Sequence, residues 1–197
     1  MKKLLFTLMA FAWCLSINAQ NDSFDLGRVK KINGIEAYIM CEPLRDYETI
    51  VDIGTGFKAE SVITGGLVNK SISGRIEQFI KRAKKENSNI DAVVYSSGKR
   101  IVGVKFKDKA TEKTKGIARV SKIKGHFVFV MCEPLTSYDI LTTKGGGIKW
   151  KSYVSGGLVN NSIDEDVEKI ANKLDSVNGV DAFLFDGSKE GAAIAFK

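Results

Sequence analysis

Apolar and polar positions along this chain recur at a fixed offset of 91 residues. Met40-Cys41-Glu42-Pro43-Leu44 returns as Met131-Cys132-Glu133-Pro134-Leu135, and the run GGLVN-x-SI at 65–72 returns at 156–163. One unit is written twice, so both copies are expected to adopt one fold. Each unit opens on an alternating run, 28–32, followed by the turn residues Asn33-Gly34 and a second run, 36–40. That pattern predicts a hairpin, with Lys124-Gly125 at the turn of the second copy. On the returning strand, alternation places Ala37, Ile39 and Cys41 on one face and Tyr38, Met40 and Glu42 on the other; the second copy sets Val128, Val130 and Cys132 opposite Phe129, Met131 and Glu133. Both faces are mostly apolar, which predicts a central strand. Pro43 and Pro134 should end it, because proline cannot donate to a ladder.

A second hairpin is predicted over 47–53 and 57–64 around Gly54-Thr55-Gly56, and in the second copy around 145–147 with 148–155 returning. The glycine pairs Gly65-Gly66 and Gly156-Gly157 then lead into helices with Ser71 and Ser162 as N-caps. Ile72, Ile76, Phe79, Ile80 and Ala83 form one apolar stripe; Ile163, Val167, Ile170, Ala171 and Leu174 form its counterpart. The outer faces are expected to differ in charge, with Arg75, Lys81, Arg82, Lys84 and Lys85 on the first helix against Asp164, Glu165, Asp166, Glu168 and Asp175 on the second. Complementary helices of this kind are expected to lie side by side. Two strands close each unit, at 90–95 and 100–107, then at 180–185 and 192–197.

The predicted fold class is α+β, as two tandem repeats at 24–107 and 116–197 joined by a charged linker at 108–115. In each repeat, strands, one helix and two more strands make a mostly antiparallel sheet with the amphipathic helix packed on it, and the repeats are expected to pair as a pseudo-dimer. The order of glycine-turned hairpins, amphipathic helix, Asp-Ala-apolar strand (Asp91-Ala92-Val93-Val94, Asp181-Ala182-Phe183-Leu184) and closing apolar strand resembles the small bacterial heavy-metal-binding domains of the YbjQ-like type. The resemblance covers most of each repeat and implies a compact, oligomer-forming α+β unit with a metal role. It does not extend to the Cys-Glu-Pro run.

Lys2 and Lys3, the apolar run 4–15 and the small-residue site ending at Ala19 read as a signal peptide over 1–19. Lipidation at Cys14 is the alternative, and Trp13 fits that processing poorly. With the signal removed, no stretch is apolar enough for a transmembrane helix, so a periplasmic or secreted location is expected. The whole chain carries +7, unevenly distributed. Residues 28–107 hold 15 basic and 9 acidic side chains, whereas 119–197 hold 10 of each. Nucleic acid is a poor partner for an exported protein. The basic half is instead suited to an acidic protein, a glycan or a lipid headgroup, with Lys81, Arg82, Lys84 and Lys85 as the contact; a solvated face without a partner is the plainer alternative.

Cys41 and Cys132 are the only thiols after the signal and occupy equivalent positions. Three readings stand open: buried core thiols, a disulfide across the two repeats, or a soft-metal site with Glu42 and Glu133 beside the sulfurs. Two sulfurs suit Cu(I) better than tetrahedral Zn, which takes four ligands. His126 is the sole histidine and stands where the first copy has Ile35, so a base or ligand built on it would serve one half; an exposed residue beside a turn is the simpler reading. The glycine pairs, with Lys70 near the first and Asn161 at the second, lack the phosphate-loop spacing. Tyr47 and Tyr138 read as packing residues. The repeated acids Glu42/Glu133 and Asp91/Asp181 have no nucleophile beside them in sequence, so no enzyme and no obligate cofactor is expected. The reading is an exported binding or assembly module of the envelope, with a soft-metal (Cu or Zn) or redox protein on the paired cysteines as the alternative.

Overall fold

The computed structural model describes residues 23–52, 71–96, 100–145, 163–188 and 190–197. Among these residues, 13 strands and two helices form a mixed, sheet-rich α+β fold. In chain order the strands of the first half are β1 (Leu26–Val29), β2 (Lys31–Ile32), β3 (Ile35–Ile39), β4 (Cys41–Pro43), β5 (Tyr47–Asp52), β6 (Ala92–Tyr95) and β7 (Ile101–Phe106), with α1 (Ile72–Glu86) between β5 and β6. The second half has β8 (Ile117–Ile123), β9 (His126–Val130), β10 (Cys132–Pro134), β11 (Tyr138–Gly145), α2 (Ile163–Leu174), β12 (Ala182–Phe185) and β13 (Glu190–Phe196).

The central sheet runs β5-β7-β6-β3-β9-β12-β13-β11, and the halves meet where Ile39 pairs with Val130. Most pairings are antiparallel. The exceptions are β3 with β6 and β9 with β12, which are parallel because α1 and α2 belong to crossovers between them. Asp91 and Asp181, just ahead of β6 and β12, accept the main-chain N–H of Phe106 and Phe196 at 3.0 and 2.9 Å. Their carboxylates hold the neighbouring strand ends in register. The expected partners of β5 and β11 at 57–64 and 148–155 lie outside the described residues, as do Ser162 and both glycine pairs; the described partners of β5 and β11 are β7 and β13.

The first predicted hairpin is only partly right. Lys31 and Ile32 do pair with Glu36 and Ile35 around Asn33 (φ 51°) and Gly34 (φ 80°), the left-handed residues of a tight turn. The earlier part of the run, β1, turns away and pairs with β8 and β10 of the other half. Conversely β4 pairs with β8, giving a small sheet in the order β4-β8-β1-β10. The registers are reciprocal. Gly27, Arg28 and Val29 face Pro134, Glu133 and Cys132, while Ala118, Arg119 and Val120 face Pro43, Glu42 and Cys41.

Two apolar cores result. One lies between the helices and the central sheet and holds Ile39, Met40, Ile76, Ile80, Val130 and Met131. The other lies between the opposite face of that sheet and the small sheet, and holds Tyr38, Cys41, Phe129 and Cys132. This corrects the alternation expected for the MCEPL strand. Met40 and Met131 adopt φ of 55° and 51°, so the chain kinks there and the side-chain alternation restarts. Cys41 therefore shares a core with Tyr38, not with Ala37 and Ile39.

Ser71 caps α1 as expected, its hydroxyl accepting the Gly74 N–H at 3.3 Å. The helices do meet, through two residues that sequence reading placed on outer faces. Arg75 and Asp166, 91 positions apart, are both buried and form an ion pair of 2.9 Å. Each follows the first stripe residue, Ile72 or Ile163, by three positions and thus shares its inward face.

Candidate functional site

The thiols Cys41 and Cys132 come from strands that leave the meeting point of the two halves. Ile39 and Val130 are paired there, the left-handed methionines turn each chain, and the next residue in each is a cysteine. Both thiols are free, buried at 3% and 1% exposure, and in the same core. The Cys132 thiol interacts with that of Cys41, and this contact together with burial pushes its pKa far above the usual thiol range. A neutral Cys132 thiol is the favoured state. β1 covers them closely: a Cβ at Gly27 would stand 2.5 Å from Cys132 Sγ and 2.9 Å from the Glu133 carbonyl oxygen.

Glu42 and Glu133 do not join the sulfurs. Strand alternation exposes them on the other side, where Tyr47 and Ser96 donate to Glu42, each at 3.1 Å, and Tyr138 donates to Glu133. No group of three or more metal-binding side chains forms among the described residues. A metal at the thiols would thus draw on sulfur alone among these groups. Tyr47 and Tyr138 pack partly against the thiol core, as expected, and also orient the two carboxylates.

Burial, then the Glu133 hydrogen bond and charge, push Tyr138 up to about 12; burial and Glu42 raise Tyr47, burial and Glu36 raise Tyr38, and burial and Asp164 raise Tyr95. Raised folded-state values favour the neutral phenol, so their stabilising contribution is complete below the ordinary tyrosine pKa near 10 and is lost as pH rises through the folded value. Urea unfolding should show stability falling between pH 10 and 12, and Tyr138→Phe should flatten part of that slope. An identical slope in the variant would remove Tyr138 from the effect.

The basic side chains separate by environment. Lys81, Arg82, Lys84 and Lys85 are exposed on α1; Lys81 also pairs with Glu77 at 2.9 Å, and Lys84 reaches the Asn33 carbonyl at 3.3 Å. Arg75 does not belong to this face, being consumed in the ion pair with Asp166. His126 is half-buried rather than exposed, with its ring 5.1 Å from that of Phe183 and Nε2 3.3 Å from Asp175, which Lys124 also approaches at 3.3 Å. Its geometry ties the β8–β9 turn to the end of α2.

Sequence reading passed over two polar pairs, one buried and one part-buried. Tyr38 donates to the buried Glu36 at 2.8 Å, with Lys31 3.7 Å from the carboxylate, and Tyr95 donates to Asp164 of α2. The positions 91 residues after Glu36 and Tyr38 are Phe127 and Phe129, so a polar pair stands in one half where an aromatic pair stands in the other. That exchange between the copies was the available signal. Compared with known proteins, the chain matches no protein-family model, no curated protein and no solved structure.

Proposed function

We propose that this chain is an exported, non-enzymatic binding or assembly module of the cell envelope, built as an internal pseudo-dimer, with the exposed basic side of α1 as its contact surface. Support for the pseudo-dimer comes from the reciprocal register of β1 with β10 and β4 with β8. The contact surface rests on one observation: Lys81, Arg82, Lys84 and Lys85 are exposed together, whereas the positions 91 residues later are Asn172, Lys173, Asp175 and Ser176. These four positions are all cationic in the first half and carry no net charge in the second. The repeated carboxylates Glu42, Glu133, Asp91 and Asp181 are engaged with tyrosines or main chain, which accounts for them without catalysis.

An anionic surface is the matching partner, since clustered cations gain roughly 1 kcal/mol each at a lipid surface of opposite charge. Vesicles containing phosphatidylglycerol should sediment the protein at about 0.15 M salt, where exposed pairs are already partly screened. Replacing all four residues with Gln should weaken that binding by about tenfold or more. Equal binding by the quadruple variant would show that the face is merely solvated.

A second reading, a thiol-based metal or redox protein, is favoured by the contact of Cys41 with Cys132 inside one core.

A further inference from the structure

We propose that Cys41 and Cys132 close into an intramolecular disulfide that fastens β4 of the first half to β10 of the second. This rests on the thiol reading just given and is independent of the basic face. The geometry is specific to these two residues. They follow, at equal remove, the Ile39 and Val130 pair that joins the halves, and the left-handed Met40 and Met131 turn both into the same core. Gly27 leaves the space that Cys132 Sγ occupies, because any larger residue there would press on the sulfur. Val29 and Val120, the strand partners of Cys132 and Cys41, complete an apolar enclosure on the inner face of the small sheet. A bridge needs Cα atoms within about 7 Å; β4 and β10 are the outer strands of the small sheet, so closing the bridge would draw its two edges together over β8 and β1.

A soft metal fits this enclosure less well. Metal binding requires thiolates, and burial together with the Cys41 contact opposes the Cys132 thiolate. A disulfide carries no charge and suits the apolar surroundings. The oxidant is a small-molecule disulfide such as oxidised glutathione. One protein thiolate attacks it, forming a mixed disulfide and expelling one glutathione thiolate; the second protein thiolate then attacks the protein sulfur of the mixed disulfide and expels the other. Two electrons pass to glutathione, and the two thiol protons end on its two released thiols. Because both sulfurs are nearly inaccessible, exchange requires β1 to lift first.

The test uses the exported chain, whose leader with Cys14 is gone, or the full chain carrying Cys14→Ser. It is equilibrated in glutathione redox buffers, quenched with an alkylating reagent in denaturant, and weighed intact. The expected product is lighter by two hydrogens and takes up no alkyl group, while Cys41→Ser and Cys132→Ser each give no such species. Thermal melting of the oxidised form should exceed that of the reduced form by roughly 5–15 °C, since the bridge closes a long loop. Two alkylated thiols after equilibration with oxidised glutathione, a bridge between two chains, or a lower melting point on oxidation would each overturn the proposal. Addition of Cu(I) to the reduced protein separates the remaining cases. Stoichiometric retention by a protein that forms no disulfide would overturn the bridge and leave the thiol reading standing; neither bridge nor metal would overturn both.

Discussion

Arg75→Ala should destabilise the protein by about 3–5 kcal/mol in urea unfolding, because it removes the guanidinium that pairs with the buried Asp166 carboxylate. Asp166→Ala should cost a similar amount by removing the carboxylate that pairs with the buried guanidinium. The informative variant is the double one. Arg75→Met with Asp166→Leu removes both charges and fills the space with apolar side chains, and such replacements are commonly neutral or stabilising. Recovery of most of the lost stability would identify the cost of the single changes as desolvation of the remaining charge. A cost below about 1 kcal/mol for Arg75→Ala would mean that the residue reaches water, and the ion pair would then not fasten α1 to α2.

Gly27→Ala should cost about 1–3 kcal/mol, an overpacking penalty in a filled core. Its new Cβ would lie 2.5 Å from Cys132 Sγ, 2.9 Å from the Glu133 carbonyl oxygen and 3.1 Å from Phe129 Cδ1. The first obstacle is a side chain and the second is backbone, so they can be told apart. Combining Gly27→Ala with Cys132→Ala should relieve the sulfur contact, with coupling of about 0.5–3 kcal/mol in a double-mutant cycle. Additive behaviour would show that the sulfur does not press on β1. Ala118, which pairs with Gly27 in the small sheet, is a fully buried alanine. Positions 27 and 118, 91 residues apart, therefore differ in the side chain they hold.

Local pattern carried much of this architecture. The stripe from Ile72 to Ala83, the Ser71 cap, the Asn33-Gly34 turn and the closing strands depend on nearest neighbours in sequence, and they appear where expected. What pattern did not reveal depends on distant partners. Nothing local to residues 28–32 says that β1 will leave its hairpin for β10, since either pairing satisfies the same N–H and C=O groups. The face of Cys41 was misread because strict alternation assumes an extended chain, and the left-handed Met40 breaks it. Arg75 and Asp166 looked like surface residues because charge normally marks solvent; their inward spacing and opposite signs signalled the reverse. At the site, equivalence of the two cysteines was legible, whereas their contact required knowing which strands cross between the halves.

The exchange of β1 and β4 with β8 and β10 has a consequence for the order of events as the chain is made. Synthesis delivers β1 and β4 first; their shared partner β8 exists only once residue 123 has emerged, and β10 follows at residue 134. Until then β1 and β4 present unpaired main-chain edges, the kind of surface that adds foreign strands. The thiols are also uncovered during this interval, as Cys41 lacks Val120 and the later core residues that enclose it. The small sheet thus acts as a checkpoint on completeness: an interrupted chain cannot shut the second core, however well its first helix has formed.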